Sequence, residues 1–277
     1  MIRAGVMGWP VEHSRSPLLH GFWLNQHKID GDYRLLPVRP EDLRAALRDL
    51  ATQGFAGCNL TVPHKQAALA IVDEVDAAAA RIGAVNTVIV RRDGTLEGRN
   101  TDAFGFRENL RAAQPAWQAG TGPAVVLGAG GAARAVVAAL LDDGAPAIRL
   151  VNRSHDRAGA LASALGGPIE VIDWPRRYDA LAGAALLVNT TSLGMTGQPP
   201  LDLALDALPR TAVVNDIVYA PLDTALLSAA RRRGNLVVDG LGMLLHQARP
   251  AFAAWFGVMP EVTPALRQAV VASLVAR

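Results

Sequence analysis

Residues 124–134, Ala-Val-Val-Leu-Gly-Ala-Gly-Gly-Ala-Ala-Arg, constrain the fold more than any other stretch of the chain. An apolar run stops at glycines and becomes alanine-rich helical sequence, as when a buried parallel strand passes through a tight turn into a helix. Gly128, Gly130 and Ala133 satisfy G-x-G-x-x-A. The first glycine permits the turn, the second lets backbone N–H groups approach a pyrophosphate, and the small third residue lets helix and strand pack closely. A helix over 132–141 follows, then a second strand over 147–151 that ends in Asn152-Arg153-Ser154. A unit specific for NAD places an Asp or Glu there to hold the ribose 2′-hydroxyl. Arg153, with Arg157 one helical turn further on, instead suits a 2′-phosphate and reads as NADP; the alternative for both is a solvated helix start. Asp156, the one acid close by, reads as a favourable charge in a first helical turn.

A doubly wound nucleotide domain occupies about half of the 277 residues, so the chain has room for a second domain. With 51% hydrophobic and 19% charged residues, the composition suits an α/β protein with large buried sheets. The net charge of +2 gives no case for nucleic acid. Arg231-Arg232-Arg233 reads as favourable charge at a helix C-terminus. The single cysteine, Cys58, excludes a disulfide within the chain and reads as core. No apolar run approaches the roughly eighteen residues that cross a bilayer, and no signal-peptide core is visible, so the expected location is cytoplasmic.

Taken in order, residues 2–7 read as a buried strand. His13-Ser14-Arg15-Ser16-Pro17 then opens a helix to about residue 27, with Pro17 at its first position and Ser16 as its cap. The two hydroxyls beside free backbone N–H groups also suit a carboxylate. After a strand over 33–38, a helix opening at Pro40 shows an i, i+4, i+7 stripe of Leu43, Leu47 and Leu50. A strand over 55–60 leads into Asn59-Leu-Thr61-Val-Pro63-His-Lys65, which puts Thr61 and Lys65 at a strand end and the helix start beyond it; a solvated lysine is the simpler alternative. Residues 84–90 and 95–98, around Asp93-Gly94, form a hairpin with a type I′ turn. Thr101 then caps a helix and leaves Asp102 in its first turn, either serving the helix dipole or holding Lys65 as an acid–base pair. Strands over 169–172, 186–189, 213–216 and 236–238, a helix over 221–232, and two helices over 241–256 and 264–275 complete the pattern.

Other chemistries lack their residues. Ser192 has Thr190 where a nucleophile elbow needs glycine. The six histidines form no His-Glu-x-x-His pattern, so no metal site is expected. His20 and His27 read as packed or solvated.

Along its whole length the chain resembles the shikimate dehydrogenase family, the NADP-dependent shikimate 5-dehydrogenases. The resemblance rests on Gly8-x-Pro10, His13-Ser-Arg-Ser-Pro17 with His20, Asn59-x-Thr-x-Pro-His-Lys65, Gly83-Ala-Val-Asn86-Thr87, Gly98-x-Asn-Thr-Asp102, the glycine turn, Asn152-Arg153, Asn189-x-Thr-Ser192, and Gly240-x-x-Met243-Leu with Gln247. Ser154 stands where the family usually shows Thr, and Gly21 where Asn is frequent. The implied fold is α/β and two-domain: an N-terminal substrate-binding domain (residues 1–103), a Rossmann-type doubly wound NADP-binding domain (104–238), and C-terminal helices (239–277) that return to the first, with the active-site cleft between the domains. The implied function is reversible reduction of 3-dehydroshikimate to shikimate with NADPH, on the route to chorismate and the aromatic amino acids, by a monomer or homodimer acting on small molecules.

The resemblance further implies that Ser14 and Ser16 hold the substrate carboxylate, and that Thr61, Asn86, Asp102 and Gln247 bind ring hydroxyls. Lys65 and Asp102 are the catalytic pair. Gly128, Ala129, Gly130, Gly131 and Ala132 take the pyrophosphate, and Asn152, Arg153, Ser154 and Arg157 the adenosine 2′-phosphate. Thr190, Ser192, Ile217 and Gly240 lie by the ribose and nicotinamide, with Tyr219 beside them reaching the substrate. Two other readings stand beside this one: a quinate/shikimate dehydrogenase of relaxed substrate or cofactor specificity, and a non-catalytic NADP-binding regulator on the same fold.

Overall fold

The computed structural model describes residues 1–275, so the last two residues of the C-terminal segment lie outside the described residues. The chain forms two compact units, Met1–Asp102 with Gln247–Arg277, and Ala103–His246. The second division falls inside a helix rather than at residue 239.

In the first unit, β1 (Ile2–Gly8), α1 (Ser16–Gln26), β2 (Gly31–Pro37), α2 (Leu43–Arg48), β3 (Phe55–Leu60), β4 (Glu74–Val75), α3 (Ala77–Ile82), β5 (Thr87–Val90) and β6 (Leu96–Arg99) succeed one another. The sheet order is β2-β1-β3-β5-β6-β4. β1 is parallel to β2 and β3, whereas β5 is antiparallel to β3 and β6. The leucine stripe is core: Leu43 and Leu47 on α2 and Leu50 just beyond its end pack with Met7, Cys58, Leu60 and Val88. Cys58 is free and fully buried, which pushes its thiol pKa up.

Two local expectations fail. The hairpin turn is not type I′, which needs positive φ at both central residues; only Gly94 has it (φ 84°), and Arg91 bonds both Gly94 and Thr95 across a three-residue loop. Asp93 holds that shape by accepting from the Thr95 N–H and hydroxyl at 3.0 and 2.7 Å. After β3 the chain forms a turn and then a 3-10 helix over Ala67–Ala70, so Lys65 stands in a turn and not at an α-helix start.

The second unit contains α4 (Asp102–Ala113) from its second residue on, β7 (Ala124–Leu127), α5 (Gly131–Asp142), β8 (Ile148–Asn152), α6 (His155–Leu165), β9 (Ile169–Asp173), β10 (Leu186–Asn189), β11 (Val213–Asp216), α7 (Ala225–Arg233) and β12 (Leu236–Val238). Its strands are all parallel in the order β12-β11-β10-β7-β8-β9, the doubly wound order with the switch point between β7 and β10. Val125, Val126 and Leu127 are fully buried, as expected of a strand covered on both faces.

The last helices are α8 (Leu241–Phe256) and α9 (Pro264–Val275). From Gln247 onward they belong with the first sheet, where the Trp255 indole donates to Val88 O at 3.1 Å and that of Trp23 to Glu261 O at 3.1 Å. Among the described residues no helix is long and apolar enough to cross a membrane.

Candidate active site

Register brings the motifs of the first unit to one edge of its sheet. Met7 lies opposite Leu60, Asn59 opposite Thr87, and Thr87 opposite Arg99, so the segments after β1, β3 and β6 and the one before β5 emerge together. There the Lys65 ammonium donates to Asp102 Oδ2 at 2.6 Å. The Asp102 side chain is 1% exposed and that of Lys65 19%. The other carboxylate oxygen, Oδ1, accepts from Asn86 Nδ2 at 2.7 Å. Asn86 Oδ1 is held in turn by the Thr101 N–H at 2.9 Å, and the Asp102 N–H by Asn100 Oδ1 at 2.9 Å. Lys65, Asn86 and Asp102 thus form one hydrogen-bonded cluster, in which a buried carboxylate with two donors fixes a partly open ammonium.

Ser14 and Ser16 are half-buried and bonded to each other, Oγ to Oγ at 3.2 Å. Ser16 is not the cap. The helix begins at Ser16, and the cap position falls on Arg15, which makes no side-chain capping bond. Ser14 instead accepts the Ser16 N–H at 3.3 Å. Thr61 is half-buried at the end of β3, where its N–H is held by Met7 O at 2.9 Å, and Gln247 is half-buried on α8. The hydroxyl of Thr101 is engaged with Asn86.

In the second unit, Gly128 has φ 105°, and a Cβ there would stand 2.8 Å from Thr190 Oγ1, so the turn into α5 admits only glycine without strain. Gly130 is the cap residue of α5, without a side-chain capping bond and with nothing within 4 Å of a would-be Cβ. Ala133 is fully buried. The open cap, bare backbone N–H groups and absence of acid from the first turn fit a pyrophosphate across Gly128–Ala132. At the end of β8, Arg153 and Arg157 are exposed, and among the described residues neither forms an ion pair. Asp173, the acid at the end of the neighbouring strand, is bonded by His155 at 2.8 Å. Two uncommitted guanidinium groups suit a 2′-phosphate. Ser154 caps α6 through the Arg157 N–H at 3.4 Å, and Asn152 Nδ2 donates to Ser154 O at 2.9 Å.

Thr190 uses its hydroxyl within the fold, on Leu127 O at 2.6 Å, and Ser192 is exposed. Ile217 and Tyr219 are half-buried after β11, and Gly240, whose would-be Cβ stands 2.2 Å from Ile217 O, packs on the same segment. Sequence reasoning missed Asp216, which fixes that segment by accepting from Val218 N, Asn189 Nδ2 and Thr224 Oγ1 at 3.0, 3.0 and 2.7 Å. Burial raises its pKa against those bonds. The signal available was an acid closing a buried strand. Among the described residues no group of three or more His, Cys, Asp and Glu could hold a metal.

Comparison with known proteins gives family matches along the chain. A family model described as the shikimate dehydrogenase substrate binding domain matches residues 6–88, one described as shikimate/quinate 5-dehydrogenase matches 112–194, and one described as the shikimate 5′-dehydrogenase C-terminal domain matches 240–270. A relative from Paramagnetospirillum magneticum named shikimate dehydrogenase (NADP(+)) is 65% identical over 264 residues, covering 95% of this chain and 96% of its own. The protein of that name from Rhodospirillum rubrum is 62% identical, with 96% of each chain covered. Among solved structures, shikimate 5-dehydrogenase from Thermus thermophilus in complex with NADP(H) and shikimate aligns with TM-score 0.87 at 38% identity, covering 99% of this chain and 100% of its own. Quinate dehydrogenase from Corynebacterium glutamicum in complex with NAD aligns with TM-score 0.91 at 32% identity, covering 98% and 99%.

Proposed function

Because the chain belongs to the shikimate dehydrogenase family, we propose that it is an NADP-dependent oxidoreductase that reversibly reduces 3-dehydroshikimate to shikimate. The observation that carries the chemistry is the Lys65 ammonium held at 2.6 Å by a buried Asp102. Bound NADPH supplies the hydride. Reduction of a ketone leaves negative charge developing on oxygen, and a protonated group beside it lowers the barrier. Lys65 fills that role, passing a proton from Nζ to the new hydroxyl and taking it back in oxidation. Asp102 orients the ammonium.

Ser14 and Ser16 hold the substrate carboxylate, with hydroxyls that the fold does not use to cap α1. Thr61, Asn86, Asp102, Tyr219 and Gln247 select the ring hydroxyls. Gly128–Ala132 takes the pyrophosphate, Asn152, Ser154, Arg153 and Arg157 the 2′-phosphate side, and Thr190, Ser192, Ile217 and Gly240 the ribose and nicotinamide. The domain reading follows: the first unit binds substrate and the second NADP. A cytoplasmic location goes with this reading, supported by the free buried Cys58.

The likeness to a quinate dehydrogenase in complex with NAD motivates a second reading, quinate oxidation with NAD. Arg153 and Arg157 at the end of β8 favour the first. The test follows the absorbance of reduced nicotinamide with 3-dehydroshikimate or 3-dehydroquinate, each with NADPH and with NADH. The proposal requires 3-dehydroshikimate with NADPH to give the highest kcat/KM; preference for 3-dehydroquinate with NADH overturns it.

A further inference from the structure

We propose that Tyr33 and Thr87 are positioning residues for the Lys65–Asp102 pair, acting through a one-directional chain of hydrogen bonds from the Tyr33 phenol to the Asp102 carboxylate. The inference rests on the reading of Lys65 and Asp102 as the acid–base pair. Tyr33, on β2, reaches across β1 and donates to Asn59 Oδ1 on β3 at 2.7 Å. Asn59 Nδ2 donates to Thr87 Oγ1 at 3.1 Å and to Asn86 O at 3.2 Å. Having accepted, the Thr87 hydroxyl gives its own proton to Asn86 Oδ1 at 3.0 Å. Asn86 then has only its amino group to offer Asp102, at 2.7 Å, and the opposite oxygen of that carboxylate receives Lys65.

The polarity is fixed at both amides by backbone groups that cannot reverse, the Asn86 carbonyl facing Asn59 Nδ2 and the Thr101 N–H facing Asn86 Oδ1, and the two hydroxyls follow. A flip of the Asn59 amide would set its oxygen against Asn86 O, which can only accept. A flip of Asn86 would face its amino group to the Thr101 N–H and its oxygen to the carboxylate. Tyr33, Thr87, Asn86 and Asp102 are 6, 0, 3 and 1% exposed, so the links run through a poorly solvated region where hydrogen bonds in series strengthen one another.

The far end is anchored as well. The Tyr33 ring lies flat on the His20 imidazole, 3.9 Å between centroids and 2° between planes, and His20 sits among Trp23, Phe252 and Trp255. Burial lowers the His20 pKa to about 3, which keeps that stack uncharged.

The test compares Tyr33→Phe, which keeps the ring stack, Thr87→Val, which keeps the shape, and Thr87→Ser, which keeps the hydroxyl. Tyr33→Phe and Thr87→Val should each lower kcat about five- to ten-fold with KM for shikimate changed by less than about two-fold. The double variant should fall no further than the worse single one, because both break the same chain. Thr87→Ser should restore most of the turnover that Thr87→Val loses. Wild-type kcat in Tyr33→Phe, a Thr87→Ser as impaired as Thr87→Val, or losses that multiply in the double variant overturn the proposal. Thermal unfolding checks that each variant is folded, and Tyr33→Phe carries the test alone if Thr87→Val is not. Lys65→Ala assayed beside them separates the two claims. Normal turnover there sinks the acid–base reading itself, whereas its loss together with unimpaired Tyr33 and Thr87 variants sinks only the chain.

Discussion

Asp102→Asn probes the centre of the site with almost no change of shape. The carboxylate accepts two donors, Lys65 Nζ at 2.6 Å on Oδ2 and Asn86 Nδ2 at 2.7 Å on Oδ1. An amide has one acceptor; its oxygen goes to Asn86, whose amino group Thr101 N and Thr87 Oγ1 fix from the other side, so its own buried amino group faces Lys65 with no acceptor. A buried unsatisfied donor costs about 1–3 kcal/mol, which should appear as lost stability in urea unfolding. Separately, the ammonium loses a charge-assisted bond worth about 1.5–3 kcal/mol, which should lower kcat by about 10- to 150-fold if that bond orients the proton donor in the transition state. Steady-state kinetics with shikimate and NADP measures kcat and KM, and urea titration measures the stability term. A variant with kcat within about three-fold of wild type, or one whose whole loss lies in KM, would refute the reasoning, since an orienting carboxylate acts on turnover.

Ser14→Ala and Ser16→Ala should chiefly raise KM for shikimate, because a carboxylate is bound alike in ground and transition states; steady-state assays that show the loss in kcat alone would move the serines into the chemistry. Arg153→Ala should weaken NADPH binding by about 10- to 150-fold and leave NADH nearly unchanged, as read by fluorescence titration of each cofactor. His20 is neutral in the fold, where burial lowers its pKa from the ordinary 6.5 to about 3. The folded state therefore binds the proton more weakly than the unfolded chain, and stability is lost as pH falls below 6.5. Between pH 7.5 and 5.5 the wild type should lose about 1.4 kcal/mol more than His20→Phe in urea unfolding.

The sequence made legible whatever depends on neighbours along the chain. An apolar run ended by Gly128 and continued by Ala133 can be little else than strand, turn and helix, and the alternation of such units dictated the parallel sheet. Lys65, Asn86 and Asp102 lie in separate motifs; the order of hairpin and strand end already puts Asp102 within reach of Lys65, with service to the helix dipole as the alternative, and the register of β3, β5 and β6 decides between the two. Ser-Pro usually enters a helix with the serine as its cap, whereas here α1 starts one residue earlier and Ser14 takes the Ser16 N–H. The contribution of Tyr33 left no local signal. Its hydroxyl matters through Asn59, 26 positions along the chain, and an aromatic residue in a strand looks the same whether it packs or donates.

The ammonium group of Lys65 stands at the centre of the proposed chemistry. Reduction of 3-dehydroshikimate by NADPH, followed in Lys65→Ala through the loss of reduced-nicotinamide absorbance, should show kcat lowered by about 10² to 10⁴ with little change in KM. Turnover at the wild-type rate, or a defect confined to KM, would contradict it.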